Sequence, residues 1–432
     1  MQDKTTIGNY ENTNTPSKAF REYIESLVEE IVLNNAVFND HKKYLQRYSQ
    51  EEGIDYAALE KNLTDLFEAF KELKSHKSNS LVLLVKMLAK DCYISDDALN
   101  KLVSALEREA PEVKCLDMDK DGNVFCTDKN IQGKISIPST LKGKRVSGIK
   151  ERAFEDCKNL LDIVIPASVT EIGGGAFGYC ESLTNIVIPN SVTKIGDSAF
   201  MGCESLTNIV IPNSVIEIGE AAFFLCKSLA SIIIPNSVKK IGAMAFQACK
   251  ALTKPLYNTH CFAYLPEKYA TEYIIPEGIK HIVGGAFQDC PTLTSVVIPN
   301  SVTEIGTGAF KECKTLTSLV IPNSVTKIGE FAFLFCTSLT SIVIPNSVTE
   351  IGEGEFCNCK SLTSIVIPNS VTGIGDRAFE HCESLASIVI PNSVAKIGSD
   401  AFGKCLGLKS AKLPKRFKGQ EIFPNHTEVV YY

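Results

Sequence analysis

"IPNSVTKIGDSAFMGCESLTNIV" fills residues 188–210, and at Ile211 the chain begins nearly the same 23 residues again. The motif Ala-Phe-x-x-Cys inside it recurs, with Glu in place of Ala in one copy, with its Phe at 154, 177, 200, 223, 246, 287, 310, 333, 356, 379 and 402. Every step is 23 residues except the one from 246 to 287, which is 41. A fixed period of this length specifies a solenoid, in which each copy is one coil whose apolar face is covered only by its neighbours.

Within a coil, Leu183, Ile186 and Ile188 follow an L-x-x-L-x-L spacing suited to a short parallel strand, which Pro189 ends because it has no amide to donate. Asn190-Ser191 turns the chain, Val192 and Ile195 point inward from a second short extended segment, and Gly196 turns it again. The tetrad Ala199-Phe200-x-x-Cys203 is expected to form one helical turn that drops Phe and Cys into the interior. The residue after Val-Thr reads down the coils as Glu171, Lys194, Glu217, Lys240, His281, Glu304, Lys327, Glu350, Gly373 and Lys396. Coils about 4.8 Å apart would set like charges against each other, so the alternating signs specify in-register stacking.

The run "IPNSVTKIGDSAFMGCESLTNIVIP" resembles the BspA-type leucine-rich repeat family, and the resemblance covers roughly residues 115–432. It implies a curved solenoid that binds other macromolecules, as the family's bacterial surface adhesins do. The expected fold class is α+β overall: a small N-terminal α-helical bundle, then a curved leucine-rich repeat solenoid with parallel β-sheet and 23-residue coils. The expected divisions are a flexible tail at 1–16, the bundle at 17–110, a cap hairpin with the first coil at 111–152, repeats at 153–405 and a C-terminal cap at 406–432.

Eleven of the 16 cysteines, from Cys157 to Cys405, occupy one position of the repeat, so their side chains form an inward file. Parallel copies aim the same way and do not face each other as a disulfide requires. They read as free, buried structural thiols serving the carbonyls of a tight turn, a ladder best suited to a reducing compartment. Cys357-x-Cys359 is the only close pair, and four convergent zinc ligands cannot be assembled around it. "DMDKDGNVFCTD" sets Asp117, Asp119, Asp121, Asn123 and Asp128 at calcium-loop spacing. Its Asp121-Gly122 between strand-like flanks reads as a hairpin covering the first coil, with calcium as the alternative.

Two stretches depart from the period. The 41-residue step contains an insert at 254–272 with Tyr257, Phe262, Tyr264 and Tyr269, read either as a bulged coil filled by its own rings or as an aromatic binding patch. Before the repeats, Phe20 to Val32 and Leu59 to Leu73 follow helical spacing, and further helices are expected near 37–48, 80–91 and 96–109, the last capped by Ser95.

Net charge is −6, and residues 1–111 hold 14 Lys/Arg against 19 Asp/Glu. Nothing is basic enough to track phosphates, so no nucleic-acid partner is expected. The N-terminus lacks the charged-then-apolar pattern of a secretory signal and no apolar run is long enough to span a bilayer. The chain reads as cytoplasmic, with cell surface or secreted as the alternative. The six histidines are scattered without a Ser, Cys or carboxylate at catalytic spacing, so neither an enzyme nor a cofactor is expected.

Strand alternation buries Ile186 and turns Asn185 and Val187 outward, with Val210 in the next coil. The equivalent columns hold Ser318, Ser341 and Ser364 beside Val320, Val343 and Val366. This uncharged strip is the expected contact face for a protein or glycan partner, although valine in a strand needs no function to explain it. The expected function is a non-catalytic interaction protein whose helical domain oligomerises or couples. The alternatives are an adhesin binding matrix proteins or cells, and a structural spacer.

Overall fold

A computed structural model describes residues 16–34, 38–75, 85, 88–107 and 115–432. The expected tail, most of the helix at 80–91 and the junction at Ala110-Pro111 lie outside the described residues. The chain divides into a helical unit and a repeat unit.

In the helical unit, α1 (Lys18–Asn34), α2 (Lys42–Glu51), α3 (Tyr56–Ser75) and α4 (Asp96–Glu107) are described. Phe20, Ile24 and Val28 of α1 share one core with Leu63, Leu66 and Phe70 of α3 and Leu99 of α4, as the 3.6-residue spacing requires. Ser17 Oγ accepts the Phe20 amide at 3.1 Å and Ser95 Oγ accepts that of Ala98 at 3.2 Å, so both helices start on capped amides. The helix expected at 37–48 starts later: Phe38–Asp40 form a 3-10 turn, its Phe38 ring set edge-on to Phe67 at 4.9 Å.

The repeat unit stacks coils in register through two parallel ladders. One joins three-residue strands, Glu272–Ile274, Ser295–Val297, Ser318–Val320, Ser341–Val343 and Ser364–Val366 among them. The other joins two-residue strands such as Glu171–Ile172, Lys194–Ile195 and Glu217–Ile218. Lys194 lies opposite both Glu171 and Glu217, and Nζ-to-carboxylate distances are 3.4 Å for Lys194–Glu171, 2.8 Å for Lys240–Glu217 and 3.0 Å for Lys327–Glu304. The charge column is therefore aligned in register along these coils, and each exposed pair contributes only about 0–1 kcal/mol.

The Ala-Phe-x-x-Cys segment is not the expected helical turn. In every coil the residues two before and two after the Phe have positive φ, for example Ser198 (54°) and Gly202 (72°) around Phe200. Left-handed residues break a helix and turn alternate amides toward the next coil: Phe177 N–H donates to Ala199 O at 2.7 Å, and Tyr179 N–H to Met201 O at 2.6 Å. The segment is thus a third ladder made of turns. The phenyl rings stack along it, with centroids 4.8–5.4 Å apart and near-parallel planes between neighbouring repeats.

Both ends are closed. Leu116–Met118 and Asn123–Cys126 form the expected hairpin, which continues the two-residue ladder through Gly148–Ile149. Its carboxylates are engaged: Asp117 pairs with Lys142 at 2.6 Å, and Asp119 accepts the amides of Asp121 and Asn123 at 3.0 and 2.9 Å, holding both carboxyls below the usual range. At the other end Glu428–Tyr431 pairs with Ser410–Leu413, and the Phe423 ring covers Phe402 at 5.0 Å.

The insert is a shortened coil. Cys261–Tyr264 takes a place in the two-residue ladder beside His281–Ile282, Leu265 N–H donates to Ala286 O as a repeat Phe would, and Phe262 stacks on Phe287 at 4.8 Å. Phe262 and Tyr264 fill the coil's own volume, while Tyr257 and Tyr269 stay exposed.

Candidate binding surface

The three-residue ladder presents alternate side chains to solvent. Val297, Val320, Val343, Val366 and Val389 are between 52 % and 75 % exposed, and the intervening Val296, Leu319, Ile342, Ile365 and Ile388 are buried. From Ile274 to Val366 five paired strands make a strip about 19 Å long at a spacing of about 4.8 Å. Serines 295, 318, 341 and 364 form the parallel column. Among the earlier candidates, Asn185, Val187 and Val210 are only half-buried, so the open part of the strip begins at Ile233.

The aromatic candidates separate. Tyr257 and Tyr269 are exposed, whereas Phe262 and Tyr264 are buried in the insert's own coil and leave the candidate surface. Stacking and ladder pairing, which the sequence of the insert does not announce, pull them inward. Sequence reasoning also missed a cleft of about 440 Å³ on the turn face, lined by Met244, Gln288, Lys311, Phe331 and Leu334. Its lining comes from the positions adjoining the repeat Phe, whose residue types vary from coil to coil and carry no periodic signal.

The thiol file is as the spacing specifies. From Cys180 onward each Sγ of the file reaches a carbonyl of the preceding coil: Cys203 donates to Phe177 O at 3.1 Å, Cys336 to Phe310 O at 3.1 Å and Cys405 to Phe379 O at 3.1 Å. Burial pushes Cys180, Cys336 and Cys405 up to about 12. At the N-terminal end of the file the Cys157 thiol hydrogen-bonds Cys126 and holds it below the ordinary thiol range, while Cys157 itself is pushed up. All 16 cysteines are free. Among the described residues no group of three or more metal-binding side chains converges, and no helix is long and apolar enough to cross a membrane.

The model of the BspA-type leucine-rich repeat region matches six copies, over residues 122–254, 257–382 and 349–429. The chain belongs to this family. BspA-type repeats are typically those of non-catalytic binding proteins, and no enzyme family is indicated. Several solved structures are similar to this chain. A leucine-rich repeat protein from Bacteroides ovatus is 27 % identical over 73 % of this chain and 97 % of its own, with a TM-score of 0.39. A leucine-rich cell surface protein from Faecalibacterium prausnitzii is 26 % identical over 75 % and 95 %, with a TM-score of 0.36. The pneumococcal vaccine antigen PcpA is 19 % identical over 73 % and 85 %, with a TM-score of 0.45. A search of the curated proteins gives no match. The helical unit lies outside the matched residues.

Proposed function

We propose that this BspA-type protein is a non-catalytic binding protein of the cell surface, and that its Ser/Val strip docks a protein partner. The observation that carries the reading is the exposure of Val297, Val320, Val343 and Val366 on strands held rigid in register. Covering each valine contributes roughly 1–2 kcal/mol, and the serines offer hydrogen bonds without charged side chains to desolvate. Family membership favours the surface over the cytoplasm. The thiol file does not oppose this: its sulfurs are buried and hydrogen-bonded, and so are protected without a reducing compartment. The helical unit is assigned to coupling or self-association.

The test pairs Val320→Lys with Val343→Glu in the full chain and measures binding to purified extracellular-matrix proteins and glycans. Thermal stability should stay within about 2 °C of the parent, because both side chains point to solvent, and binding should be lost. Binding that survives in a folded double variant would move the site to the cleft around Met244 and Phe331. Protease treatment of intact producing cells tests the location, since a surface protein is digested and a cytoplasmic one is spared.

A further inference from the structure

One coil breaks the repeat at its most constrained position. Ten of the eleven coils carry Ala before the stacked Phe, and the eleventh carries Glu355, with no solvent exposure. Elsewhere the glycine that follows the two-residue strand donates its amide to an isoleucine carbonyl of the coil before, as Gly329 does to Ile305 O and Gly375 to Ile351 O, each at 2.8 Å. The Gly352 amide instead donates to Glu355 Oε2 at 2.8 Å. At that junction the ladder stops: Lys327–Ile328 ends one sheet and Glu350–Ile351 begins the next, with no pairing between them.

The gap is local and measurable. A Cβ on Gly329 or Gly375 would meet backbone of the preceding coil at 2.4 or 2.6 Å, but on Gly352 the nearest atom, Glu330 Cα, is 3.3 Å away. The other two ladders cross the junction unbroken, through Ser318–Val320 to Ser341–Val343 and through Phe333 N–H to Glu355 O at 2.9 Å. Glu355 Oε1 is buried without a hydrogen-bond partner. The titratable charged groups on this coil and its neighbours, Lys327, Glu330, Glu350, Glu353, Lys360, Asp376, Arg377, Glu380, His381 and Glu383, lie on the exposed or half-exposed side of the turns and none pairs with it.

We propose that Glu355 makes this junction a pH-operated hinge: neutral, the carboxyl is seated in the core, and ionised, it draws water into the gap and opens the corner between Lys327–Ile328 and Glu350–Ile351. Two intact ladders and one broken one give the motion its direction, a flexing about the Ser/Val sheet and not a parting of the coils. Burial supports the required protonation, pushing the carboxyl up to about 8 against a small opposing effect of the Gly352 amide. A group whose folded value is raised stabilises the fold below its unfolded value, near 4.5, and that stabilisation is lost as pH rises to about 8.

The experiment is amide hydrogen exchange on the full chain at pH 6 and pH 9, corrected for the intrinsic rate, comparing residues 349–353 with the regular junction at 372–376. In the parent, protection at 349–353 should fall at least tenfold more between the two pH values than at 372–376. Glu355→Gln should abolish the pH dependence, and Glu355→Ala, which restores the residue of the other coils, should bring protection up to that of 372–376 at both pH values. Equal protection of the two junctions in the parent, or the same pH-dependent loss in Glu355→Gln, overturns the proposal.

Discussion

Replacing Cys336 with Ala tests the thiol file where it is most regular. The side chain is fully buried, and its S–H reaches Phe310 O at 3.1 Å. That carbonyl also accepts the Cys313 amide at 3.2 Å, so losing the thiol leaves no orphaned acceptor. The cost is therefore one weak hydrogen bond, about 0.5–1 kcal/mol, plus a void of one sulfur, about 1 kcal/mol. A total of about 1.5–2 kcal/mol is expected from urea unfolding. The same environment predicts chemistry. With the thiol raised from 9.0 to about 12, its thiolate fraction at pH 8 is about 1000-fold below that of an ordinary cysteine. Alkylation of the native protein, read by mass spectrometry, should be slower than that of free cysteine by at least this factor and should catch up on unfolding. A cost under about 0.5 kcal/mol, rapid native labelling, or disulfides between neighbouring file positions would refute the account.

Gly329→Ala should cost about 1–3 kcal/mol through backbone overlap, while Gly352→Ala at the widened junction should cost less than half as much; equal costs would remove the gap. Lys194→Glu would set three acidic residues in line with Glu171 and Glu217 and should destabilise by roughly 0.5–1 kcal/mol at low salt, an effect that 0.5 M salt removes. Residues 17–110 expressed alone should give a helical circular dichroism spectrum and a cooperative melt, because Phe20, Leu63, Phe70 and Leu99 already close a core; a disordered fragment would refute this.

The repeat is legible in the sequence because each of its devices recurs. The Cys column, the stacked Phe, the alternating charges and the outward Val each follow from spacing alone. The third ladder is barely legible, since the positive-φ position before the Phe holds Gly175, Gly285, Gly308 and Gly354 in four coils but Arg152, Ala221, Met244, Phe331 and Asp400 in others. Their conformation is imposed by the neighbouring coils, a tertiary effect, and the tetrad alone reads as a helical turn. The insert was half legible: its two strands decide between burial and exposure, so Phe262 went inward and Tyr257 outward. Glu355 is visible as a letter, but its meaning appears only when the amide it captures is seen to be missing from the ladder.

A stack of near-identical coils carries a hazard that a single core does not. Because most coils present the same Phe, Cys and Val, a folding chain that docks a coil one step out of place, or onto a second molecule, forms nearly the same contacts. Only positions that differ can reject the error. The shortened coil at 254–272 accepts one neighbour on each side and no regular coil fits its place. The irregular coil thus acts as an index mark: it counts five repeats before it and six after, and fixes which copy is which.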